Sequence, residues 1–76
     1  MQKKHYKILL REEPEGGFTV FVPSLEGCTT YGKNLEEAKT MAKEAIELYI
    51  ESLQQDGDPI PDSDNMMQMD LEISHA

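Results

Sequence analysis

Tryptophan is absent, cysteine occurs once, and Lys plus Arg number only 7 against 15 Asp plus Glu in 76 residues. The single Cys28 can build neither an internal disulfide framework nor a multi-thiolate zinc site. The formal net charge of −8 disfavours nonspecific nucleic-acid binding, whose affinity comes from cations displacing phosphate counterions. A basic protein is the partner such a surface suits. No apolar run approaches the roughly 20 residues of a membrane span. The polar, basic stretch Met1–Tyr6 is not followed by an apolar segment of signal-peptide length, so a soluble, cytoplasmic protein is expected. With two Phe, three Tyr and a hydrophobic fraction of 38%, the core must be compact. A chain this short buries only about 60% of its unfolded surface, and association into a homodimer or higher oligomer is the expected remedy.

Charge is unevenly placed. Lys3, Lys4, Lys7 and Arg11 precede every acid, and residues 12–76 carry three lysines against all fifteen carboxylates. The basic end reads more simply as a solvated strand edge than as a nucleic-acid site.

Between His5 and Arg11 the residues Tyr6, Ile8 and Leu10 alternate with Lys7, Leu9 and Arg11, the period of a half-buried strand. Pro14 and Gly16-Gly17 mark a turn, after which Phe18, Val20 and Val22 share one face of a second strand. Leu9, Thr19 and Phe21 then lie on the opposite face, where exposed apolar side chains suggest an interface. Pro23 ends that strand, Leu25-Glu26-Gly27 makes a corner, and Cys28–Tyr31 forms a third strand broken at Gly32. Asn34 with Glu37 three residues later resembles a capping box. A helix follows with apolar residues at 35, 38, 42, 45, 46, 49 and 53, ending at Gly57. Met67, Met69, Leu71 and Ile73 alternate with polar residues and predict a fourth strand. The expected fold is α+β, a single β-β-β-α-β domain over residues 1–76. It comprises an antiparallel three-strand meander, a crossover helix on one sheet face and a fourth strand.

Catalytic and metal readings find little support. A nucleophilic Cys28 needs a nearby base, and neither His5 nor His75 sits in a motif. Asp56, Asp58, Asp62, Asp64 and Asp70 lack the central glycine and closing glutamate of an EF-hand loop, so a solvated loop is expected. Met66, Met67 and Met69 could form an adaptable surface, although packing already accounts for the last two. The chain is expected to hold no metal or cofactor and not to be an enzyme.

The run Gly17-Phe18-Thr19-Val20-Phe21-Val22-Pro23-Ser24-Leu25-Glu26-Gly27-Cys28, followed by a short strand ending at Gly32, resembles the signature of the HicB-type antitoxins. The helix opening Glu36-Glu37-Ala38 and the segment Asp58-Pro59-Ile60-Pro61 are similar to the family pattern too. Gly17, Pro23, Leu25, Gly27, Cys28 and Gly32 are the signature positions. They are fold-forming residues, with Gly27 and Gly32 allowing backbone geometry that a side chain would strain. The resemblance implies a partial ribonuclease-H-like sheet. Its metal-dependent active site would need acids on neighbouring strands, and Lys7-Ile8-Leu9 supplies none. It also implies an antitoxin that neutralises a small basic messenger-RNA-cleaving toxin of the HicA type, itself similar to a double-stranded-RNA-binding domain. A freestanding interaction domain without a cognate toxin is the alternative. Candidate partner-binding residues are Glu36, Glu44, Glu47 and Glu51 on the helix, and Phe21 on the sheet; the acids after the helix are a further candidate. Many family members add a C-terminal DNA-binding module. None is expected here, and direct DNA binding is not expected.

Overall fold

Antiparallel pairing places Leu10 opposite Val20 and Leu9 opposite Phe21, and this register decides what the sheet buries. A computed structural model describes residues 3–61 and 66–75. Its elements run β1 (Leu9–Glu12), β2 (Phe18–Phe21), β3 (Thr29–Gly32) and α1 (Leu35–Asp56), and the sheet order is β1-β2-β3. This is the expected α+β meander with one helix on one face.

The first strand is shorter than the alternation from His5 suggests. Continuing the register would bring Lys7 opposite Pro23, which has no N–H to donate. Val22 turns its own N–H to the Cys28 carbonyl, at 3.1 Å. The ladder therefore starts at Leu9, although Tyr6 and Ile8 still pack half-buried against the core.

The segment between β2 and β3 is the second half of that core. Leu25 N–H donates to the Val22 carbonyl at 3.0 Å, and Cys28 N–H to the Leu25 carbonyl at 2.9 Å. Two successive turns result, with Pro23 at the second position of one. Gly27, at φ 79°, takes the third position of the other, where a type II turn requires positive φ. The turns fold Val22, Leu25 and Cys28 inward as one buried cluster against Ala45, Ile46 and Tyr49 of the helix. A separate cluster joins Val20 to Ala38 and Ala42. Tyr49 hydroxyl donates to the Glu26 carbonyl at 2.9 Å and fastens the turn to the helix.

α1 begins where its caps dictate. Asn34 Oδ1 accepts from Glu37 N–H at 2.8 Å, while Glu37 Oε1 accepts from Lys33 N–H at 3.0 Å. The reciprocal bond thus reaches one residue before the cap. Gly57 at φ 73° closes the other end, with Gly57 N–H on the Gln54 carbonyl and Asp58 N–H on that of Leu53, a Schellman arrangement. Leu35, expected on the buried stripe, is exposed in the first turn.

Gly32 does not break β3 but ends it, paired with Phe18. Its requirement is space, not an unusual dihedral angle: a Cβ there would lie 2.2 Å from the Ala38 backbone nitrogen. Sheet and helix meet at this point. The helix lies across β3 and β2 and does not reach β1.

The fourth strand is not formed. Residues 66–75 have no regular secondary structure, and Met67, Met69, Leu71 and Ile73 are 73–87% exposed. Alternation reports that a segment is amphipathic; a strand also needs a neighbouring backbone to exchange hydrogen bonds with. Without it, the helix makes no strand-to-strand crossover among the described residues. Ordinary packing therefore does not account for Met67 and Met69, since neither reaches the core.

Candidate partner-binding surfaces

At about 100° per residue, Glu36, Glu44, Glu47 and Glu51 fall within roughly 80° of helix arc. The stripe is centred nearly opposite Ala38, Ala42, Ala45 and Tyr49, which face the sheet. All four carboxylates are exposed. The ion pair among the described residues is elsewhere, between Arg11 and Glu13. The stripe is therefore a line of negative charge with no ion pair among the described residues, on the outermost surface of the helix, interrupted by Thr40 and flanked by Lys43.

Phe21 lies on the other side of the molecule. The register groups it with Leu9 across β1 and with Thr29 across β3, on the sheet face that no helix covers. Arg11 lies 5.2 Å above its ring and donates from Nε to Glu13 Oε2 at 2.9 Å. Thr19 hydroxyl donates to that same oxygen. The Thr19 hydrogen bond first, and Arg11 second, hold the Glu13 carboxyl below its ordinary range. The structure thus brings Arg11, Glu13, Thr19 and Phe21 together and separates them from the acidic stripe by the thickness of sheet and helix. This small polar cluster is absent from a motif-based reading. The signal for it was the hairpin register, which pairs Arg11 with Thr19.

Six signature positions resolve into structural parts. Leu25 and Cys28 are buried under the helix, while Pro23 and Gly27 shape the turns that carry them. Gly17, at φ 82°, also lies so close to Tyr31 that a Cβ would fall 2.0 Å from its hydroxyl. That hydroxyl donates to the Gly16 carbonyl at 2.9 Å. Gly32 admits the helix.

Burial pushes the Cys28 thiol up from its ordinary value, the reverse of what an activated nucleophile requires. Asp56, Asp58 and Asp70 are exposed; Asp62 and Asp64 lie outside the described residues. No three His, Cys, Asp or Glu side chains come together in metal-binding geometry among the described residues. No helix among them is long and apolar enough to cross a membrane.

The chain is similar to known proteins over most of its length. Residues 6–75 match the model of the HicB-like antitoxin of bacterial toxin-antitoxin systems. A UPF0150 protein of Synechocystis is 47% identical over 60 residues, covering 79% of this chain and 76% of the relative. A UPF0150 protein of Thermoplasma acidophilum is 43% identical over 56 residues, covering 74% and 81%. One from Helicobacter pylori is 42% identical over 65 residues, covering 86% and 90%.

Proposed function

The chain belongs to the HicB-like antitoxin family, and we propose that it binds and neutralises a small basic HicA-type ribonuclease in the cytoplasm. The observation that carries this reading is the stripe of Glu36, Glu44, Glu47 and Glu51, exposed and without ion-pair partners among the described residues. An RNA-cleaving protein must hold phosphates, so its working face is cationic. A row of carboxylates on a rigid helix attracts that face from a distance and occupies the positions that phosphates would take. Inhibition by occlusion needs no catalytic group on the antitoxin. The buried, protonated Cys28 and the family membership both fit a binding role.

Co-expression with any small basic open reading frame found beside this gene tests the proposal. The expected result is rescue of growth and a complex whose affinity falls as salt rises. Reversing charge at Glu44, Glu47 and Glu51 together slows association and abolishes rescue while leaving the fold intact, because these side chains support no packing. A neighbour that is not toxic, with no basic protein co-purifying, refutes the antitoxin role. Rescue that survives the triple reversal moves the contact away from the helix.

A further inference from the structure

Leu48 is 65% exposed, more than any other large apolar residue in the strands or the helix. Helix formation does not ask for leucine there, because Lys, Gln and Glu have nearly the same propensity. One exposed leucine on a surface is ordinary, but this one does not stand alone. Met41, Ala45 and Leu48 fall at i, i+4 and i+7 of α1, the spacing by which a helix presents anchors to a groove on another protein. Met41 is half-buried yet packs on neither buried cluster. Ala45 is half-buried with its inner side on the core. At about 1.5 Å per residue the row is roughly 10 Å long.

Charge around the row is one-sided. At about 100° per residue, Leu48 lies roughly 80° round the helix from the middle of the acidic stripe. Glu44 precedes it by one turn and Glu51 follows it by one, so both are its neighbours on the helix surface. The lysines of α1, Lys39 and Lys43, lie on the other flank, beside the open groove that borders the segment leading into β1. A cationic surface approaching α1 is therefore drawn to the Leu48 flank and repelled from the Lys43 flank. Both effects act within the roughly 8 Å that physiological salt leaves unscreened. The stripe alone attracts a basic partner; the asymmetry sets which way that partner sits.

Resting on the antitoxin reading, we propose that Met41, Ala45 and Leu48 seat in an apolar depression on the basic ribonuclease, while Glu44, Glu47 and Glu51 pair with the cations around it. The apolar row holds the complex once the faces have met, as a dry centre inside a polar rim. The carboxylates raise the rate of encounter. This narrows the partner's chemistry to a face that binds phosphates through Lys and Arg and also offers an apolar socket about one leucine wide. A cationic surface without such a socket gains nothing from Leu48.

The probe is the basic ribonuclease that co-purifies with the chain, its binding followed by surface plasmon resonance over a series of salt concentrations. Leu48→Ala is expected to weaken the complex roughly tenfold or more, through faster dissociation, with the salt dependence unchanged. Reversing charge at Glu44, Glu47 and Glu51 instead lowers the association rate and flattens the salt dependence. Leu35→Ala, at a site 59% exposed on the lysine flank, is expected to leave both rates unchanged. Leu48→Asp by itself keeps wild-type helicity by circular dichroism and wild-type mass by light scattering. A complex whose dissociation rate ignores Leu48→Ala, or responds equally to Leu35→Ala, overturns this inference and leaves the antitoxin reading standing. A Leu48→Asp chain of lower mass makes a second copy the occupant and overturns it likewise. A wild-type chain that captures no basic ribonuclease overturns both.

Discussion

Replacing Leu25 with alanine tests whether the turn between β2 and β3 is core. The side chain is 1% exposed and packs with Val22 and Cys28 beneath the helix. The substitution removes three heavy atoms, and at about 0.8 kcal/mol per buried methylene the transfer loss is roughly 2.4 kcal/mol. Three groups of about 30 Å³ each leave on the order of 90 Å³. At about 24 cal/mol per Å³ that void adds up to roughly 2 kcal/mol if nothing relaxes. A turn collapses more readily than a helix, so the expected total is about 3–4 kcal/mol. A chain of 76 residues has a total stability of only about 4–11 kcal/mol. The melting temperature should therefore fall by at least about 12 °C. Urea titration and thermal melting followed by circular dichroism measure it. A loss under about 1 kcal/mol with an unchanged denaturant slope would refute the reasoning and make this loop a surface feature.

Gly32→Ala is expected to cost more than about 2 kcal/mol, because the new Cβ meets the Ala38 backbone and the helix must shift; equilibrium unfolding reads it. Asn34→Ala removes the bond to Glu37 N–H and should cost about 1 kcal/mol, visible as lost helicity and a lower urea midpoint. The raised Cys28 thiol contributes nothing below the free thiol's value of about 8.5. Above it the unfolded chain ionises first, so stability falls with rising pH until the folded thiol also ionises. Cys28→Ala should remove that alkaline decline in a pH series of melts. The lowered Glu13 carboxyl acts in the opposite direction. Its contribution is present above about pH 4.3 and is lost as pH falls through its folded value. Thr19→Ala should shrink that acid-side loss.

Local chemistry made much of the fold legible. Asn34 and Gly57 announced the helix ends because cap geometry depends on the side chain or the positive φ at one position. Alternation about Pro14-Glu15-Gly16-Gly17 announced the hairpin, and the spacing of Glu36, Glu44, Glu47 and Glu51 placed them on one stripe. The start of β1 was not legible, because Lys7 loses its ladder only through a register that reaches Pro23. Leu25 looked like part of a corner and Cys28 like the first residue of the third strand, which instead runs Thr29–Gly32. Only the path of the turns shows them as a plug beneath Tyr49.

The amino-acid sequence by itself determined the type and order of the three strands and the helix, the charge imbalance and the family, since each depends on residues near one another in the chain. Tertiary structure decided which apolar rows find a neighbour. It buried Val20 and Leu25, left Leu10 half-covered and left the apolar row from Met67 to Ile73 exposed. It also set Phe21 and the acidic stripe on opposite sides. Periodicity states which face of a segment is apolar; only the packed chain determines whether another surface lies within reach to cover it.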